Sequence, residues 1–153
     1  MASLKRMLIG LLTSIGGMGT ASIGGLPGPT KRREDFKAKW IDWGGSHRGI
    51  PKVMQSQQAH NDGAHRQAFG HLQKVRKDVE RGRSPATPAF QAQLNNNLAV
   101  CAHECGEQAV SSLRRQRWQG IAKQGITRAS EISTSSFEIS ETVSHNHQVI
   151  SQT

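Results

Sequence analysis

The chain has 153 residues, only 35% of them hydrophobic and none a Tyr, with 16 Gly and 5 Pro spread along most of its length, so less than half is expected to pack firmly. Twenty Lys and Arg against eleven Asp and Glu give a formal charge of +9, which draws the chain towards nucleic acid, an anionic membrane leaflet or an acidic partner protein. Two cysteines and the absence of any Asn-x-Ser/Thr acceptor exclude a disulfide-stapled secreted scaffold and favour a reducing compartment.

Residues 1–15 read as an amphipathic leader helix. Leu4, Leu8, Leu11 and Ile15 fall on one face, with Lys5 and Arg6 off it, and no acidic residue precedes Glu34. The apolar run is shorter than the roughly 20 residues a bilayer crossing needs, which leaves a weak, charge-assisted contact with an anionic membrane or a cleaved presequence. Gly19 and Ala21 fit a small-x-small cleavage site. Residues 16–30 form a Gly/Pro-rich linker.

Residues 31–125 are read as a basic helical core. Phe36, Trp40 and Trp43 are spaced by four and three, so a short helix from Glu34 to Trp43 would line up the three rings for packing on the helices that follow. Ala64, Ala68, Leu72, Val75 and Val79 mark an amphipathic helix to Glu80, with Asn61 and Asp62 as caps and Arg66, Lys74, Arg76, Lys77 and Arg81 on its other faces. After a break at 83–88, a second helix is expected from Ala89 to Gln119, carried by the stripe Phe90, Leu94, Leu98, Cys101, Cys105, Ala109 and Leu113. The two helices fold back as a hairpin. Residues 126–153, rich in Ser and Thr, are expected as a disordered tail. The fold class is therefore mainly α: a small helical hairpin core between a flexible amino-terminal arm and a disordered tail.

No motif assigns catalytic chemistry: there is no Gly-x-Ser-x-Gly, no His-Glu-x-x-His and no phosphate loop. In "CAHECGE", Cys101 and Cys105 share a helix face but His103 points away, so the cysteines are read as core residues. His60, Asp62, His65 and His71 straddle a helix start and are read as a solvated polar face. No catalytic residue, metal ligand, cofactor or small-molecule substrate is expected. The basic groups Lys31, Arg32, Arg33, Lys74, Arg76, Lys77, Arg114, Arg115 and Arg117 are candidate contacts for a protein partner or for nucleic acid, with Trp40 or Trp118 able to stack on bases. Ser84-Pro85 and Thr87-Pro88 have the form of proline-directed phosphorylation sites, or serve as a plain helix connector.

The apolar-and-basic start "MASLKRMLIGLL", a strongly basic chain poor in aromatics and a helical body without a catalytic motif together resemble the C accessory proteins of paramyxoviruses, translated from a frame overlapping the phosphoprotein gene. The resemblance lies in those twelve residues and in overall organisation. The Gly-rich linker and Ser-rich tail depart from the helical carboxy-terminal halves of the family's better-known members. It implies a non-enzymatic virulence factor that antagonises host interferon responses and modulates viral RNA synthesis through contacts with host signalling and viral replication proteins. It places the chain in the host cytoplasm, partly membrane-associated, with Leu4, Lys5, Arg6, Met7, Leu8, Leu11 and Leu12 touching the membrane. Two other readings stand beside it: a basic RNA-binding accessory protein, and a small mitochondrial or secreted protein with a cleaved presequence.

Overall fold

A computed structural model of the chain describes residues 35–153 apart from Pro85. The leader with Leu4–Leu12, the linker at 16–30 and the cluster Lys31, Arg32 and Arg33 lie outside the described residues. Ala38–Thr153 form one unit, and Asp35–Lys37 fall outside it.

The unit is mainly α, as its periodicities predict. Its helices are α1 (Pro51–Asn61), α2 (His65–Glu80), α3 (Pro88–Gln108), α4 (Ser112–Glu131) and α5 (Phe137–Ser151), with no strand among the described residues. Local chemistry sets the boundaries. Pro51 and Pro88 occupy first-turn positions, where the missing N–H would have had no intrahelical partner. The side chains of Thr87, Ser111 and Ser136 cap α3, α4 and α5 by accepting from the third backbone N–H along. Gly63 and Gly82 take φ values of 76° and 75° to turn the chain out of α1 and α2. The α2–α3 hairpin forms as expected, joined by residues 81–87.

Four expectations are corrected. Residues 38–44 are extended rather than helical: Trp43 is buried, Trp40 half-buried and Phe36 exposed, because residues 39–43 find their backbone partners on side chains of α1, α3 and α5. Helix α1, in a Gln-rich stretch without apolar periodicity, buries Val53, Ser56 and Ala59, and Asp62 closes it while Ala64, not Asn61 or Asp62, stands at the start of α2. The single helix expected over 89–119 is two, since Ala109 turns extended and Ser111 caps a new start, which leaves Leu113 outside the core. The disordered tail expected over 126–153 gives way to the end of α4 and to α5, whose Val143, Asn146, Val149 and Ile150 are buried. The packed unit therefore runs over most of the chain.

Helix α3 is the centre. Its Leu94, Leu98 and Cys101 meet Val53, Ala59, Ala68, Leu72 and Val75 of α1 and α2 on one side. On the other, Ala99, Val100 and Ala102 meet Ala122, Ile126, Val143 and Ile150 of α4 and α5. Small residues let α3 and α4 approach closely: a Cβ at Gly125 would stand 3.2 Å from that of Ala99. A chain with few large apolar residues thus obtains a core by sandwiching one helix between two layers.

The extended segment is fixed by side-chain amides. Asn146 accepts from Lys39 N at 2.8 Å and donates to Lys39 O at 2.8 Å. Asn97 repeats the pattern two residues on, accepting from Ile41 N at 2.9 Å and donating to Ile41 O at 2.8 Å. Asn96 donates to Lys39 O at 3.2 Å, accepts from Asn146 at 2.8 Å and donates to Asn97 Oδ1 at 3.2 Å, which ties the two pairs together. Gln93 donates to Asp42 O at 3.0 Å, and Gln57 accepts from Trp43 N at 2.8 Å. Five carboxamides thereby do for this segment what a neighbouring strand does in a sheet.

Candidate functional site

The corner where α3 gives way to α4 is open on the side facing α2. There Arg66, Cys105, Gln108, Ala109, Val110, Ser111, Arg114, Arg117, Trp118 and Ile121 line a groove of about 820 Å³. Three of these are arginines and none is a carboxylate. The cap at Ser111 leaves the amino-terminal end of α4, with its partial positive charge, beside Arg114. Trp118 forms one wall, its ring edge-on to Phe69 with centroids 5.2 Å apart. Apolar surface continues outwards: Val110 is 96% exposed and Leu113 62%. Exposed apolar side chains and arginines thus share one face of the α3–α4 corner.

The sequence-predicted basic residues divide. Arg114 and Arg117 face the groove, while Arg115 donates to Ala109 O at 3.1 Å and so braces the α3–α4 corner. Arg76 pairs with Glu80 at 3.6 Å and, with Arg128, lines a separate cavity between α2, α3 and α4. Lys74 and Lys77 are exposed on α2. Arg66, read from sequence only as a polar-face residue, is the arginine that α2 contributes to the groove. No local signal could have placed it with Arg114, because the two are brought to one groove by the packing of α2 on α3 and by the Phe69–Trp118 contact between α2 and α4.

The cysteines follow the apolar stripe. Burial, reinforced by Cys105 and Glu104, pushes the Cys101 thiol far above its ordinary range. Cys105 is also raised by burial, but Arg66 pulls against that shift and the residue lines the groove. His103 is buried. His60 is not simply solvated: its ring stacks on Trp40 with centroids 4.2 Å apart and 6° between planes, and lies 6.0 Å from that of His65. Among the described residues no three His, Cys, Asp or Glu side chains are grouped to hold a metal ion. Thr87 caps α3 from an exposed position, and Ser84 is half-buried in the same connection.

The residues that sequence reasoning missed are the carboxamides Gln57, Gln93, Asn96, Asn97 and Asn146. The run Asn95-Asn96-Asn97 was the available signal, since Asn is a poor residue for a helix interior unless its side chain has a specific use. Among the described residues no helix is long and apolar enough to cross a membrane. No protein-family model matches the chain, and neither does any curated protein or any solved structure.

Proposed function

We propose that the chain is a non-enzymatic interaction protein that grips an acidic, partly apolar segment of a partner protein in the groove between α2, α3 and α4. The observation that carries this is the lining: Arg66, Arg114 and Arg117 interleaved with Val110, Trp118 and Ile121, and no carboxylate. Arginine forks pair carboxylates, exposed aliphatic groups gain from burial against a partner, and an aromatic wall supplies an anchor. A nucleic-acid backbone would use the arginines but has little use for Val110, Leu113 and Ile121.

The resemblance to paramyxovirus C accessory proteins supplies the setting for such contacts. In that setting the partners are host signalling proteins and viral replication proteins, and binding antagonises interferon responses and adjusts viral RNA synthesis. The chain would work in the host cytoplasm with part of it at anionic membranes.

The test is fluorescence anisotropy of the full chain with a Glu- and Leu-rich peptide and with an oligouridylate RNA, each at two salt concentrations. The peptide is expected to bind, and Arg66→Glu/Arg114→Glu/Arg117→Glu to weaken it by about tenfold or more, equivalent to roughly 1.4 kcal/mol. Tighter binding of the RNA with a steep salt slope would replace this reading with the RNA-binding one. An interferon-promoter reporter unaffected by the wild-type chain would remove the viral role and leave the groove standing.

A further inference from the structure

We propose that the carboxamide ladder is a groove for an extended polypeptide, and that it takes residues 38–43 from a second copy of this chain in place of its own. Helix α3 carries Asn96 and Asn97 fully buried at mid-helix, where Asn is a poorer helix former than Ala. Their side chains face a guest backbone. Asn146 and Asn97 each grip both backbone groups of one residue, at Lys39 and Ile41, the i, i+2 spacing of an extended strand. Bonds of this kind read the shape of a chain and not its sequence.

Specificity comes from the rings between the grips. Trp40 stacks on His60, and its Nε1 donates to Gln57 at 3.1 Å. Trp43 is buried against Phe90, with centroids 5.5 Å apart. The pattern required is an extended segment with indoles three residues apart and a small residue, Ala38, before the first grip. A second copy brings that pattern unchanged, so every bond of the ladder re-forms in the exchanged pair.

The connection to α1 permits the exchange. Residues 44–50 read "GGSHRGI", and a side chain added at Gly44 or Gly49 would meet nothing within 4 Å. The linker is held by a three-residue 3₁₀ turn, Gly45–His47, by contacts that include those of His47 with Trp43 and Phe90, and at its far end by Ile50, which packs against the core of α1, α2 and α3, so the hinge is the glycine-rich stretch before Ile50. Opening it leaves the ladder itself intact, so closed and exchanged forms differ in the linker and in mass action.

The test uses the full chain with Trp40→Ala/Trp43→Ala, which weakens the tethered segment, and a fluorescein-labelled peptide of residues 36–44. Binding is expected to be about tenfold tighter than to wild type, whose own segment competes, and to fall about tenfold when Asn97→Ala is added. A Lys39→Pro/Ile41→Pro chain keeps both tryptophans, loses the two gripped N–H groups and should show the same contrast. Donor- and acceptor-labelled wild-type copies, mixed at high concentration and then diluted, should show energy transfer that excess unlabelled peptide prevents. Either weakened chain that keeps its helical circular dichroism yet binds the peptide no better than a scrambled one overturns the groove. Peptide binding without energy transfer between full chains overturns the second copy as its occupant.

Discussion

Asn146 and Lys39 lie 107 residues apart and satisfy each other's polar groups at both ends: the Lys39 N–H donates to Oδ1 and the Lys39 carbonyl accepts from Nδ2, each at 2.8 Å. The carboxamide is fully buried and also donates to Asn96, so it pins α5 to the segment where the packed unit begins. Asn146→Ala deprives a part-buried backbone N–H and carbonyl at Lys39, and the buried Asn96 oxygen, of a partner each. It is expected to cost about 2–4 kcal/mol, measured by urea denaturation. Asn146→Asp keeps the acceptor but turns a lone pair towards the Lys39 and Asn96 oxygens. Its folded pKa is therefore raised, folded chains bind the extra proton, and the variant should lose stability as pH rises from about 4 towards 8.

Two glycines in α4 should respond to alanine in opposite directions. A Cβ at Gly125 would stand 3.2 Å from the Ala99 Cβ and 3.4 Å from both the Ala99 Cα and the Asn95 carbonyl, and a helix backbone cannot retreat as a flexible side chain does. At Gly120 nothing lies within 4 Å. Gly120→Ala should stabilise by roughly 0.5–1 kcal/mol through helix propensity alone. Gly125→Ala should lose that gain and about 1 kcal/mol more to overpacking. Thermal melts of the two variants decide it, and a stabilised Gly125→Ala would show that α3 and α4 are not in close contact.

What the sequence made legible was whatever repeats along one helix. Ala68, Leu72 and Val75 lie on the stripe that their spacing draws, and Cys101 and Cys105 are buried as their place on the α3 stripe implies. What it hid depends on partners far along the chain. Trp40 and Trp43 share a helical spacing yet sit on extended backbone, because Gln57, Asn97 and Asn146 supply their segment with hydrogen bonds that no local window contains. Gly125 read as an end point and is a contact surface. In the groove, Arg114 and Arg117 were legible as a charge cluster, whereas Arg66 joins them only through tertiary packing.

The two thiols should separate cleanly in an alkylation time course followed by mass spectrometry. Cys101 is wholly buried and its thiolate strongly disfavoured, so it is expected to react only as the chain opens. Cys105 borders the groove, and Arg66 partly offsets the burial that raises it. At pH 8 it should react faster than Cys101 by about two orders of magnitude, and Arg66→Glu should slow it by removing the cation that favours the thiolate. Equal rates would mean that the groove does not reach Cys105.

Thr87 accepts from the Phe90 N–H at 3.2 Å and so holds the first turn of the central helix. Thr87→Ala should cost about 1 kcal/mol, whereas Thr87→Asp should retain the cap and add a favourable charge at the helix start. If the Thr87-Pro88 site is phosphorylated, the same logic predicts a stabilised α3 rather than a broken one. A purified phosphorylated chain that melts below the unmodified chain would contradict this.

Acid should weaken the fold through two histidines. The His47 ring lies 4.9 Å from Trp43 and 5.5 Å from Phe90, and burial lowers its pKa against the opposing effect of a backbone hydrogen bond at Gly44. His71 is lowered by burial and then by the neighbouring charges of Lys52 and Lys74. In both cases the unfolded chain binds the proton more readily than the folded one. Their contribution is therefore complete above the unfolded value of about 6.5 and is lost as pH falls through the lower folded values. Urea midpoints should drop between pH 7 and 5, and His47→Gln/His71→Gln should flatten that slope while leaving the drop at lower pH, where carboxylates protonate. Because His47 sits in the linker between the clamped segment and α1, the single His47→Gln variant should also remove any acid-induced change in the fluorescence of Trp43, which a role for His71 alone would leave in place.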